Sequence, residues 1–180
     1  RIAKDQGLIP GNVNEILQDS IGFIWMATEN GLCRYDGYNF IYYKHEVNNA
    51  NSLSYNHVFS LLEDKNGVIW VGTLGGGLNK FNSKTGKFIR YMHDPNNPKS
   101  ISSDIVFKVY GDSKKRIWIS TLGGGLNLFD PVKETFTHYT HSKKDTNSIS
   151  SNMVSALYED KAKNLWVGTF DGGMNLFIEA

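Results

Sequence analysis

Apolar residues recur along the chain in short runs broken by polar turns, and none follows the three-to-four residue spacing of a helix. The runs come in sets of four. In the first set Val13, Ile16 and Leu17 open a strand that ends at Asp19, followed by Phe23–Thr28, Leu32–Asp36 and Phe40–His45. The second set is Val58–Glu63, Val68–Thr73, Leu78–Phe81 and Phe88–His93, and the third is Ile105–Tyr110, Arg116–Thr121, Leu126–Phe129 and Thr135–His141. The last, Met153–Glu159, Asn164–Thr169 and Met174–Ile178, lacks a fourth member. Asp36-Gly37 and the glycine clusters between runs are hairpin signals, so each set reads as an antiparallel meander.

The sets are copies of one another. Asp64–Asn79 reads DKNGVIWVGTLGGGLN, Asp112–Asn127 reads DSKKRIWISTLGGGLN and Asp160–Asn175 reads DKAKNLWVGTFDGGMN; Asp19–Cys33, DSIGFIWMATENGLC, is one residue shorter. The tryptophans Trp25, Trp70, Trp118 and Trp166 stand 45, 48 and 48 residues apart, a period that marks a repeat architecture. Each copy has an Asp six residues before its Trp and a Thr three residues after it. Gly75, Gly76 and Gly77 offer the positive φ angles of a tight turn. Polar connectors of similar sequence, 48–56, 94–104 and 143–152, join the copies.

A four-stranded meander followed by a polar crossing is a propeller blade. The expected fold is therefore all-β, a β-propeller of four four-stranded antiparallel blades. It is either a closed four-blade ring or part of a larger or dimeric one. The expected boundaries are a closing segment at 1–11 and blades at 12–47, 56–93, 104–142 and 152–180, with residues 1–5 able to supply the missing last strand. The recurrent residues have a structural reading: Trp packs between blades, Asp accepts turn amides, and the Thr hydroxyl bonds locally.

Composition adds limits. The 180 residues suffice for one sizeable core. A formal net charge of +1 offers no global field for nucleic acid or an anionic membrane. Cys33 is the single cysteine, which excludes an internal disulfide and a cysteine-based zinc site. No apolar run is long enough to span a bilayer. With no initiator Met and no leader pattern, the chain is expected to be a piece of a longer one.

The units resemble two-component regulator propeller repeats. The resemblance rests on EDKNGVIWVGTLGGGL (63–78), on QDSIGFIWMATENGL (18–32) and on the connector Ser52-Leu53-Ser54-Tyr55-Asn56. Gly111 in place of the acidic residue, Ser120 and Ala27 in place of the strand glycine, and Lys115 and Lys163 in place of the turn glycine depart from the pattern. The resemblance implies an extracytoplasmic sensor of a membrane-bound signalling protein, on the periplasmic or extracellular side, with an oligosaccharide or other small-molecule ligand. It implies a membrane link only through segments outside this chain. The alternative is a propeller for protein interaction that self-associates through its blades.

Chemical motifs are sparse. His45, His93 and His141 fall at equivalent ends of fourth strands, hence apart in space, so no metal site and no cofactor are expected. The triple glycine precedes neither Lys-Ser/Thr nor a helix, which removes a phosphate loop. A binding module rather than an enzyme is expected. Sameness builds blade cores, whereas a ligand site needs asymmetry. The candidates are therefore positions that differ between blades on one face: Glu29 and Asn30 against Leu74 and Gly75, Asp171 against Gly123, and His57 against Ile105 and Met153. Along the inner strands Glu15, Ser60, Lys108 and Ala156 share one position, which makes Glu15 and Lys108 the charged candidates.

Overall fold

Fifteen strands and no helix make up residues 11–179, the part of the chain that the computed structural model describes. Blade 1 is β1 (Val13–Gln18), β2 (Ile24–Thr28), β3 (Gly31–Tyr35) and β4 (Phe40–Tyr43). Blade 2 is β5 (Val58–Glu63), β6 (Ile69–Thr73), β7 (Leu78–Asn82) and β8 (Lys87–Tyr91). Blade 3 is β9 (Val106–Gly111), β10 (Ile117–Thr121), β11 (Gly125–Asp130) and β12 (Thr135–Tyr139). Blade 4 is β13 (Val154–Glu159), β14 (Leu165–Thr169) and β15 (Met174–Phe177). Each sheet is an antiparallel meander in chain order. The expected closing strand at residues 1–5 lies outside the described residues.

The repeated Asp does more than hold its turn. One carboxylate oxygen of Asp19 accepts the N–H groups of Ile21, Gly22 and Phe23 at 2.8–3.1 Å, and the other accepts the Trp25 indole N–H at 2.7 Å. Asp64, Asp112 and Asp160 hold Trp70, Trp118 and Trp166 the same way at 3.0, 2.9 and 2.9 Å. A buried indole N–H without a partner would cost about 1–3 kcal/mol, so the six-residue spacing stabilises the buried ring. The Thr73 hydroxyl donates to Gly77 O at 2.9 Å and accepts Gly76 N–H at 3.1 Å, which fixes the β6–β7 turn.

The glycine cluster divides its tasks. Gly75 and Gly77 have φ of +131° and +69°, as expected, but Gly76 does not adopt a positive φ. It is small because a Cβ there would meet Ser54 Oγ at 2.5 Å. Lys115 and Lys163, the departures from the turn glycine, nevertheless adopt φ of +65° and +69°.

Blades pack face to face through three cores. Trp25, Ala27 and Leu32 of blade 1 meet Val58, Leu61, Ile69, Val71, Phe81 and Phe88 of blade 2. Trp70 and Leu78 meet Val106, Val109, Ile117, Ile119, Phe129 and Phe136 in the second core. Trp118 and Leu126 meet Val154, Leu157, Leu165, Val167 and Phe177 in the third. Each indole stands edge-on to a phenylalanine of the next blade, with centroids 5.0–5.3 Å apart for Trp25–Phe81, Trp70–Phe129 and Trp118–Phe177.

Connectors dock on the blade they enter. The Asn79 side chain clamps Ser54 through its N–H and hydroxyl at 2.9 and 2.7 Å, and Asn127 and Asn175 do so with Ser102 and Ser150. His45, His93 and His141 bracket the connector starts, each with Nδ1 at 2.8–2.9 Å from the carbonyl of Leu53, Ile101 or Ile149.

Candidate inter-blade aromatic site

The inner strands β1, β5, β9 and β13 each carry a bulge, where pairing skips one residue: Asn14, Phe59, Phe107 and Ser155. A bulge re-aims the extra side chain and twists the strand. It turns Phe59 and Phe107 toward each other across the blade 2–blade 3 junction, with centroids 4.3 Å apart and planes tilted by 38°. His57 extends the run at 6.5 Å from Phe59, and Phe170 meets Phe107 edge-on at 5.2 Å and 84°. Phe170 is 56 % exposed, and Ile105 and Met153, at the positions equivalent to His57, are also exposed. The result is a partly open aromatic run over blades 2, 3 and 4, with the exposed Asp171 next in sequence to Phe170.

The six sequence candidates divide between two places. Glu15 and Lys108, from blades 1 and 3, form an ion pair. Glu15 also accepts the Leu61 N–H of blade 2 at 2.7 Å, and Ser60, one blade on, accepts the Val109 N–H at 3.0 Å. This position thus tethers one inner strand to the next, and the charges that differ between blades are partly spent on that structural task. The other four lie at the ends of the blades where the bulges are. Glu29 accepts a hydrogen bond from Asn12 at 2.5 Å, the Asn30 amide donates to the Thr28 hydroxyl at 3.1 Å, and His57 O accepts the Leu74 N–H at 2.9 Å. His57 joins the aromatic run directly; Glu29 and Asn30 stand on blade 1 and Asp171 on blade 4.

Phe59, Phe107 and Phe170 were not among the sequence candidates. The signal was present: the bulge position reads Asn14, Phe59, Phe107 and Ser155, as variable as the position beside it. Among the described residues no group of three His, Cys, Asp or Glu side chains is placed to hold a metal. The apolar ring faces, with the Asp171 carboxylate next in sequence to Phe170, suit a ligand that offers C–H faces together with hydroxyl donors.

The profile of the family described as two component regulator propeller matches residues 7–30, 52–75 and 148–171. These three segments are similar to the repeats of that family. The structurally similar extracellular domain of BT3049 from B. thetaiotaomicron, described as a hybrid two component system, is 27 % identical. It matches 99 % of this chain and 26 % of its own, with a TM-score of 0.84. The extracellular domain of BT4673 from the same organism is 27 % identical over 97 % of this chain and 22 % of its own, with a TM-score of 0.73. The chain therefore spans about a quarter of the length of these relatives. Virginiamycin B lyase from Staphylococcus aureus, 14 % identical over 90 % of this chain and 54 % of its own, shares the propeller fold alone, with a TM-score of 0.60. No curated protein sequence matches the chain.

Proposed function

We propose that these blades form the ligand-sensing part of a bacterial membrane-bound signal-transduction receptor, on the periplasmic or extracellular side, and that the ligand is an oligosaccharide bound across the aromatic run. The repeats and the likeness to extracellular domains of two-component systems support a sensor-type module. The observation that carries the ligand class is the run Phe59–Phe107–Phe170, exposed at one end and built from positions that differ between blades. Aromatic faces take the C–H faces of a pyranose, and the carboxylate of Asp171, next in sequence to Phe170, can accept from its hydroxyl groups. The module binds and releases its ligand unchanged.

The test is calorimetric titration of the chain with neutral oligosaccharides of defined linkage. Saturable binding is expected, reduced at least tenfold in Phe107→Ala and in Phe170→Ala and retained in Tyr38→Ala, whose ring is 90 % exposed on a hairpin. The saccharide should be recovered intact. Absence of binding by the wild-type chain, or equal affinity in all three variants, would remove the reading.

A further inference from the structure

Adjacent blades are clamped at the ends of their inner strands opposite the aromatic run. In the β1–β2 turn the Ser20 N–H and hydroxyl donate to the two carboxylate oxygens of Glu63, the last residue of β5 in the next blade, at 2.8 and 2.5 Å. The Ser113 N–H and hydroxyl donate in the same way to Glu159, at the end of β13, at 2.9 and 2.8 Å. In both pairs the serine follows the repeated Asp of one blade and the glutamate precedes the repeated Asp of the next.

The blade 2–blade 3 junction lacks both halves of this clamp. Lys65 stands in the serine position and Gly111 in the glutamate position. Each of these blades also packs against a neighbour on its other side, so the gap does not arise from a missing blade. A cavity of 130 Å³ lies here, and its lining includes Leu62, Lys65, Gly111, Lys115 and Ile117. A Cβ on Gly111 would stand 3.3 Å from Leu62 Cδ1, so the stem of the missing side chain would lie on an apolar wall. Gly111 offers no carboxylate to the Lys65 N–H, the counterpart of the Ser20 and Ser113 N–H groups. Neither Lys65 nor Lys115 joins an ion pair among the described residues. The carboxylates of the lining are committed elsewhere. Glu63 holds Ser20, and Asp64 accepts the Asn66 and Val68 amides and the Trp70 indole. Asp112 accepts the Trp118 indole and the Arg116 guanidinium, which also pairs with Glu179.

We propose that the blade 2–blade 3 junction binds a small aliphatic carboxylate, whose oxygens take the positions that Glu63 and Glu159 fill at the other two junctions. The side chain absent from Gly111 is chemically a propionate group, so those junctions display the bound geometry in covalent form. One ligand oxygen accepts the Lys65 N–H, and the alkyl stem lies against Leu62 and Ile117. The Lys65 and Lys115 ammonium groups supply charge where the other junctions have a neutral serine hydroxyl, which strengthens the hold on an ion that the chain itself does not carry. The site lies at the far ends of β5 and β9 from Phe59 and Phe107, and it is independent of any saccharide.

Titration of the isotope-labelled chain with sodium propionate, against sodium chloride at matched ionic strength, tests the site through its amide NMR resonances. The expected result is a saturable downfield shift of the Lys65 N–H, with the Ser20 and Ser113 amides unmoved because glutamates already hold them. Lys65→Ala, at an exposed position, keeps the amide and removes one charge, and should weaken binding about threefold. Gly111→Glu restores the internal carboxylate at a backbone without positive φ, where only the Leu62 methyls need yield. It should shift the Lys65 N–H without any propionate and abolish the response to it. Inorganic phosphate, which brings charge without an alkyl stem, should bind more weakly than propionate. The proposal is overturned if the wild type shows no saturable shift at Lys65, or if chloride reproduces the shift. A Gly111→Glu variant that still responds with wild-type affinity, or phosphate binding tighter than propionate, would overturn it as well.

Discussion

The Trp faces of blades 3 and 4 have the same internal bonds and opposite surroundings. Asp112 holds the Trp118 indole at 2.9 Å and Asp160 holds that of Trp166 at 2.9 Å. The hydroxyls of Thr121 and Thr169 donate to Gly125 and Gly173 at 2.8 and 2.9 Å. Yet Leu126 is 1 % exposed and its counterpart Met174 is 70 % exposed. The bonds within a blade form whether or not a neighbour arrives, because both partners lie within a few residues of each other in sequence. Burial is supplied by the next blade. A propeller blade is therefore locally specified and only half stabilised by itself.

The largest test of this comparison is removal of the two indoles. Trp118→Ala should cost about 3–5 kcal/mol, as expected for a large side chain deleted from a packed core. Trp166→Ala should cost about 1–2 kcal/mol, since only part of its area is withdrawn from water. Urea midpoints of the two variants check this. Equal losses would break the comparison.

A smaller effect is expected at the turn glycines. Gly77 and Gly173 share a left-handed backbone, with φ of +69° and +77°. A Cβ at Gly77 would lie 2.3 Å from Tyr91 O, whereas at Gly173 nothing lies within 4 Å. Gly173→Ala should therefore cost about 1 kcal/mol from the backbone alone, and Gly77→Ala about 2–3 kcal/mol because a neighbouring strand must also move. Thermal unfolding of the pair measures the difference; indistinguishable melting temperatures would show that the fourth strand gives no more resistance than solvent.

The finest test is acid. Burial opposes ionisation of Asp112, but bonds from the Trp118 indole and from the Arg116 amide and guanidinium outweigh it and hold the carboxyl below its ordinary value. On the open face the bonds from Trp166 and Asn164 meet little opposition, and Asp160 is lowered to about 2. Folded values below the unfolded one, about 3.9, mean a contribution to stability that is present above pH 4 and lost as pH falls toward 2. Melting temperature should drop over that window, less steeply in Asp160→Asn and less steeply still when Asp112→Asn is added. A profile unchanged by both substitutions would separate the Asp–Trp bonds from acid stability.

The candidate site was less legible than the fold. The sequence comparison found His57 and the charged inner-strand position, but read Glu15 and Lys108 as ligand groups where their geometry also serves to tether blades 1, 2 and 3. It passed over Phe59 and Phe107, because a bulge breaks the alternation by which strand residues are assigned to faces. Phe170 was overlooked beside Asp171, since only packing across a junction brings it to Phe107. The three histidines at strand ends were read only as positions on different blades, and their bonds to connector carbonyls were not foreseen.

By itself the sequence determined the blades: where each begins, which residues turn it, and that Trp, Asp, Thr and Gly recur for packing. Those features depend on contacts between residues close along the chain, and repetition displays them four times over. Only the tertiary structure decided which Trp faces are covered and which is open. It alone revealed that Gly76 is small for the sake of Ser54, and that aromatic rings from three blades meet in one run. Each of these depends on residues brought together from different blades, and the distance between them is set by how the sheets stack rather than by any pattern within one.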